Sequence, residues 1–216
     1  MIKKITRILF SLLIISSLMG CFGKIEAIPM EAINIDFDVT TVDNGTVAFS
    51  YPSKDWEQKD SFNPEVIKIL LAPKNENFQE GTNITVGITA QSTNVSLNDY
   101  VALMPRQLEK SSPGTRVNVA EIRKINDTEI SYLEINTKMT EEDMKYGLEN
   151  GIFSQENIEE LGGKEAFLNQ PETKQIQMSV SFEGRITNIT GTYMKDEEKE
   201  AVLKVMTTMV QTATLK

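Results

Sequence analysis

Two facts about reactive side chains bound what this chain can do: it contains no histidine, and it contains a single cysteine, Cys21. Without histidine there is no ordinary general base near neutral pH, no imidazole metal ligand and no histidine-based triad. Serine–lysine and paired-carboxylate chemistry remain open in principle, yet no such groups stand at a recognisable spacing. We therefore assign no catalytic residue, no cofactor site and no metal ligand. Asp36 and Asp38 stand two apart around Phe37 and offer hard oxygens of the kind Ca²⁺ takes; the plainer reading is a solvated strand face. Residues from Asp143 onward fail as a calcium loop, because Lys145 and Gly147 occupy its third and fifth positions. Tyr51 and Trp56 could form a recognition patch but read as core, as do Met206 and Met209. Asn44, Asn83, Asn94, Asn126 and Asn188 each head an N-x-[ST] pattern, which an Asn- and Thr-rich chain produces by chance.

Cys21 has a setting that explains it. Lys3, Lys4 and Arg7 open the chain, residues 8–18 are apolar apart from three serines, and Gly20 precedes the cysteine. The apolar run is shorter than the roughly 20 residues that span a bilayer, and a positive start with a short apolar core is the export pattern. Leu18-Met19-Gly20-Cys21 resembles a lipobox, where prokaryotes attach a diacylglyceryl group to the cysteine and cleave before it. An exported chain with one cysteine cannot form an internal disulfide, and thioether lipidation gives the unpaired thiol a role. At about 0.8 kcal/mol per buried CH₂, two or three acyl chains hold a protein lastingly where one does not. The expectation is a protein anchored by lipid on Cys21 to the outer face of a cell membrane, or to an envelope membrane facing the periplasm.

Removing residues 1–20 leaves 196 of 216 residues, the size of one domain. It also removes three basic residues and no acidic one, taking the net charge from −9 to −12. That charge, with no basic cluster to offset it, excludes nucleic acid as a partner.

These groups must be carried by a mixed scaffold. Residues 21–32 read as a short membrane-proximal tether and 33–216 as the domain. Ile33, Ile35, Phe37 and Val39 alternate with polar residues as in a strand, and Asp43-Asn44-Gly45 leads back into Val47 and Phe49 as a hairpin. Further period-two runs fall at residues 67–71, 84–90, 117–125, 130–135, 176–182 and 185–193. Helical spacing appears twice. Ser96-x-x-Asp99 opens Leu97, Tyr100, Val101, Met104 and Leu108, with Pro105 expected to kink or end the helix. Asp196, Glu197 and Glu198 precede Val202, Val205, Met206, Met209 and Val210, one apolar stripe. Residues 140–173 hold nine acidic and two basic residues. They read as a solvated helical insertion, with starts at Thr140-x-x-Asp143 and Ser154-x-x-Asn157 and a stop at Gly162-Gly163. The sum is an α+β fold, an antiparallel sheet of roughly six to eight strands sandwiched by helices.

Phe49-Ser-Tyr51-Pro52-x-x-x-Trp56, Ile84-Thr-Val86 and Ser96-Leu97-x-Asp99-Tyr100, in that order and followed by a hairpin and a closing helix, resemble the superfamily of PsbP, DcrB and Mog1 proteins over residues 33–214. The resemblance implies helices on both faces of an antiparallel sheet. It also implies no enzyme: relatives are extrinsic photosystem subunits, periplasmic lipoproteins and a small-GTPase partner. Metal sites of plant relatives involve histidine, so none carries over. The expected function is a non-catalytic extracytoplasmic lipoprotein that binds or supports a protein of the envelope. The alternative is a small-ligand or cation-binding protein using the acidic insertion, and a carboxylate-based hydrolase comes third.

Overall fold

The computed structural model describes residues 24–61, 63–75, 77–91, 96–150 and 154–216. The expected leader, Cys21 and Asn94 lie outside the described residues. The first element is a strand, β1 (Ile28–Met30), within the stretch expected to be a tether. Met30 and Ala32 pack against the main core, so the fold takes up this segment instead of leaving it in solvent. The alternation at residues 33–39 does not make a strand. Gln211 clamps Ile33 from both sides, accepting from its N–H at 2.8 Å and donating to its carbonyl at 3.1 Å. The Lys204 ammonium lies 4.8 Å from the Phe37 ring. The pattern therefore records contacts with the last helix, not strand pairing.

The first antiparallel pair is β2 (Val39–Asp43) with β3 (Val47–Pro52). Its turn is built as the sequence predicts: Asn44 Oδ1 accepts from the N–H groups of Thr46 and Val47, and Gly45 takes φ +92°. Next come β4 (Trp56–Lys59), β5 (Ile67–Pro73), β6 (Asn83–Gly87) and the two-residue β7 (Ala90–Gln91). Helix α1 (Leu97–Ser111) starts at a capping box formed by Ser96 and Asp99 and continues past Pro105. Tyr100, Val101, Met104 and Leu108 are buried on both sides of the proline, and that shared packing keeps the helix whole where the ring removes one backbone bond.

Strands β8 (Thr115–Ile125) and β9 (Thr128–Thr137) form the long central hairpin. The acidic insertion is helical, as α2 (Glu141–Glu149), α3 (Gln155–Glu160) and α4 (Gly163–Leu168). The first two carry the capping boxes predicted at Thr140 and Ser154. Gly162 and Gly163, both at positive φ, stand where the stop was expected: α3 ends just before them and α4 follows. The chain then forms β10 (Thr173–Phe182), β11 (Arg185–Tyr193), a 3₁₀ turn, α5 (Lys199–Thr212) and β12 (Thr214–Leu215).

The main sheet runs β1-β8-β9-β10-β11-β6-β5-β4, with β7 beside β11; β12-β3-β2 form a second, three-stranded sheet. Every pairing is antiparallel except β1 with β8. The fold is α+β, a large antiparallel sheet flanked by helices. One face of the main sheet meets α5 and the small sheet across a continuous apolar core that includes Phe49, Ile69, Ile84, Met178, Val205 and Met206. Each such side chain contributes roughly 1.5–3 kcal/mol by leaving water. The helix sits close: a Cβ on Gly191 would lie 2.3 Å from Val202 Cγ1, so only glycine fits beneath α5.

Candidate functional site

The opposite face of the sheet holds the site. Strand periodicity sends Ile176, Met178 and Val180 toward α5 and therefore Gln175, Gln177 and Ser179 the other way. Register then aligns these with polar neighbours in three rungs. Gln175 lies between Ile135 and Thr192, and Thr192 faces Asn83. Gln177 lies between Leu133 and Thr190, and Thr190 faces Thr85. Ser179 lies between Ser131 and Asn188.

Helix α1 covers one end of this face, seating Tyr100, Met104 and Leu108 on Leu133, Ile135 and Ile186. Beyond its last turn a cleft of about 120 Å³ remains, closed by Leu108, Ile135, Val66 and Ile67. Its fourteen lining residues are four amides, five threonines, four aliphatic side chains and Gly87. None carries a charge.

Within the cleft Gln175 Nε2 donates to Thr192 Oγ1 at 3.3 Å, and Thr115 and Thr137 share a hydroxyl contact of 3.1 Å. Asn83 Nδ2 donates to the Gly81 carbonyl at 2.8 Å. Behind the cleft wall the Tyr100 hydroxyl donates to Oδ1 of Asn188, a lining residue, at 3.3 Å. Burial pushes the Tyr100 phenol up, more than the neighbouring Ser179 and Asn188 pull it down, so it stays a neutral donor. Ser179 Oγ lies beside that hydroxyl without completing a hydrogen bond, and Ser131 Oγ is likewise unpaired. The telling group is Gln177: only 6% exposed, it lines the cleft and its Oε1 has no protein partner. Leaving a buried acceptor unpaired costs about 1–3 kcal/mol.

The sheltered charged groups lie elsewhere and are satisfied. On the α5 side Glu134 accepts from Lys199 Nζ at 2.8 Å and from the Tyr132 hydroxyl at 2.7 Å, with the Arg123 guanidinium 3.5 Å from the Tyr132 ring centre. Burial pushes Glu134 up, but Lys199 and Tyr132 outweigh it and hold the carboxyl below its usual range. Tyr193 nearby is raised to about 12, by burial first and then by Glu134 and Asp196. Buried Glu198 accepts from the N–H groups of Gln79, Met194 and Lys195 and from the Thr82 hydroxyl. Those four donors outweigh burial and lower its pKa. Asp143, also buried, caps α2 and reaches Ser112 Oγ at 2.7 Å and Gly114 N–H at 3.0 Å, tying the acidic insertion to the end of α1.

The residues singled out from sequence do not converge. Asp36 and Asp38 are both exposed, and among the described residues no three acidic side chains gather to hold a metal ion. Trp56 and Tyr51 are core; Trp56 packs edge-on against Phe78 at 5.6 Å. Met206 and Met209 are fully buried. Asn44 and Asn83 are buried, Asn188 faces the cleft, and Asn126 is exposed in the β8–β9 turn. Gln177, Thr190 and their rungs were missed, and Asn83 and Asn188 were singled out only as heads of N-x-[ST] patterns. Their signal was present: in a chain with 25% charged residues, the outward alternates of β6, β10 and β11 in these rungs carry no charge at all.

No protein-family model matches the chain, and no curated protein does. Several solved structures share its general arrangement at low identity. Cyanobacterial PsbP (CyanoP) from Synechocystis sp. PCC 6803 is 11% identical with a TM-score of 0.48, over 91% of this chain and 100% of that one. LpqN of Mycobacterium tuberculosis, described as involved in cell envelope biogenesis, is 12% identical with a TM-score of 0.45, over 83% and 91%. PA94 of Pseudomonas aeruginosa, of unknown function, is 12% identical with a TM-score of 0.42, over 80% and 96%. Among the described residues no helix is long and apolar enough to cross a membrane.

Proposed function

We propose that this chain is a non-catalytic extracytoplasmic lipoprotein, held by acyl chains on Cys21 at a membrane surface, whose domain works by binding a component of the envelope. The observation that carries the binding role is the cleft beside α1, whose lining contains amides, hydroxyls and aliphatic groups but no titratable side chain. General acid–base or nucleophilic catalysis needs a group that gives up or takes a proton near the reacting atom; hydrogen bonding and exclusion of water do not. The leader with its Leu18-Met19-Gly20-Cys21 end supports the anchor. Metabolic labelling with an alkynyl fatty acid tests it: the wild type takes up label and Cys21→Ala does not, and equal labelling of the two removes the lipoprotein reading. The rival use of the acidic insertion as a cation site has a direct test in calorimetry with Ca²⁺, Mn²⁺ and polyamines. Our reading expects no heat of binding.

A further inference from the structure

We infer that the domain docks on the lipid surface by the end of the main sheet that carries the β8–β9 and β10–β11 turns, and so holds the acidic insertion away from the membrane. The inference rests on reading Cys21 as the lipid anchor, and it names the face that the anchor turns to the bilayer.

Three observations carry it. The first is where the chain joins the fold. Four residues after Cys21, the Ile25 N–H donates to Asn98 Oδ1 in the first turn of α1 at 3.3 Å, and Ile28 pairs with Arg123. An extended chain spans at most about 3.5 Å per residue, which puts Cys21 within about 14 Å of Ile25.

The second is which end of the sheet that reach includes. Tyr100, in the same turn of α1 as Asn98, donates to Asn188, and Asn188, Ser179, Ser131 and Ile122 stand on one rung. At roughly 3.3 Å per residue the β8–β9 turn is about 13 Å from Ile122, and Thr115 at the other end of β8 is about 23 Å away. The insertion begins beyond that far end. Thr115 pairs with Thr137, Asp143 is bonded to Ser112 and Gly114, and Lys138 Nζ donates to the Gln170 carbonyl. The tether reaches the turns and falls short of the insertion.

The third is charge. Residues 140–173 hold nine acidic and two basic residues, whereas the two turns, residues 124–129 and 182–185, hold three and two. Beside an anionic bilayer each charge is worth about 1 kcal/mol, within a Debye length of about 8 Å. A domain lying flat would bring the insertion's excess negative charge into that field; one standing on its turns keeps it outside. Exposed Ile28 and Pro29 sit beside the tether and offer the docked end an apolar contact.

The test reads height above the bilayer at three exposed positions, Asp127 and Arg185 at the turns and Glu159 in the insertion. Asp127→Cys, Arg185→Cys and Glu159→Cys are made singly in the full chain acylated at Cys21, so the new thiol alone takes a bimane label. The proteins are placed on vesicles of phosphatidylcholine and phosphatidylglycerol containing a phosphatidylcholine with a nitroxide on its headgroup, which quenches bimane at short range. We expect the labels at positions 127 and 185 to lose most of their emission and the label at 159 to lose almost none. Equal quenching at the three positions, or stronger quenching at 159, overturns the inference. Retention on the vesicles tells this apart from the anchor. If the wild type is retained no better than Cys21→Ala, the anchor reading falls and the inference with it; if only the wild type is retained, the quenching pattern judges the inference alone.

Discussion

The two faces of the main sheet come from the same strands yet are built on different terms. Toward α5, the inward residues of β10 and β11 are Ile176, Met178, Val180, Ile189 and Gly191, and the helix closes on them with no gap. Toward α1, the alternate residues of the same strands are Gln175, Gln177, Ser179, Asn188 and Thr190; Gln177 and Ser179 are buried and the other three half-buried. Water is excluded from the first face and partly from the second, but only the first is compensated by apolar packing. Sheltering polar side chains without pairing them gives up hydrogen-bonding energy, and here that happens beside a cleft. The first face is where stability is made, and the second holds the cleft.

Substitutions should separate the two roles, the largest effects falling on the α5 side. Phe49→Ala opens a cavity in the shared core, and a loss of about 3–5 kcal/mol in urea unfolding is expected. Glu198→Ala strands four donors at the start of α5 and should cost about 2–4 kcal/mol. The same carboxylate sets a pH dependence. Its folded pKa is depressed, so its contribution is complete above the unfolded value near 4.3 and fades as pH falls through the lower folded value. Glu198→Gln should flatten that acid limb of the melting profile, and an unchanged limb would show that other carboxylates set it.

On the α1 side the expected changes are small. Tyr100→Phe removes one hydrogen bond to Asn188 and should cost about 1 kcal/mol. Gln177→Leu removes a buried amide whose oxygen is unpaired and should leave stability within about 1 kcal/mol of wild type, or raise it. If that variant unfolded as readily as Phe49→Ala, the polar face would have to be counted as core and the contrast between the faces would fail.

Much of this architecture could be read in advance, because local rules carry it. The Asn44-Gly45 turn, the capping boxes at Ser96, Thr140 and Ser154, the Glu183-Gly184 turn and the stripe of α5 all follow from residues within a few positions of one another. Where reading failed, a distant partner intervened. Residues 33–39 alternate as a strand does, but Gln211 at the far end of the chain takes the backbone groups of Ile33. Pro105 fails to end α1 because Met104 and Leu108 are held on β9 and β11. Asp143 reads as the capping partner of Thr140 in a solvated insertion, and beyond that role it fastens its helix to Ser112 and Gly114.

The amino-acid order alone thus determined the class of fold, the exclusion of histidine chemistry, the expected lipid on Cys21 and the two-sided character of β10. It could not say which polar residues would meet. Gln177, Thr190 and Thr85 come from three separated stretches, and only strand order and register set them on one rung. Nor could it say that their face would be sheltered, since that depends on where α1 stops. Spacing along a chain dictates which way a side chain points; pairing across chain segments dictates what stands beside it and whether water reaches it.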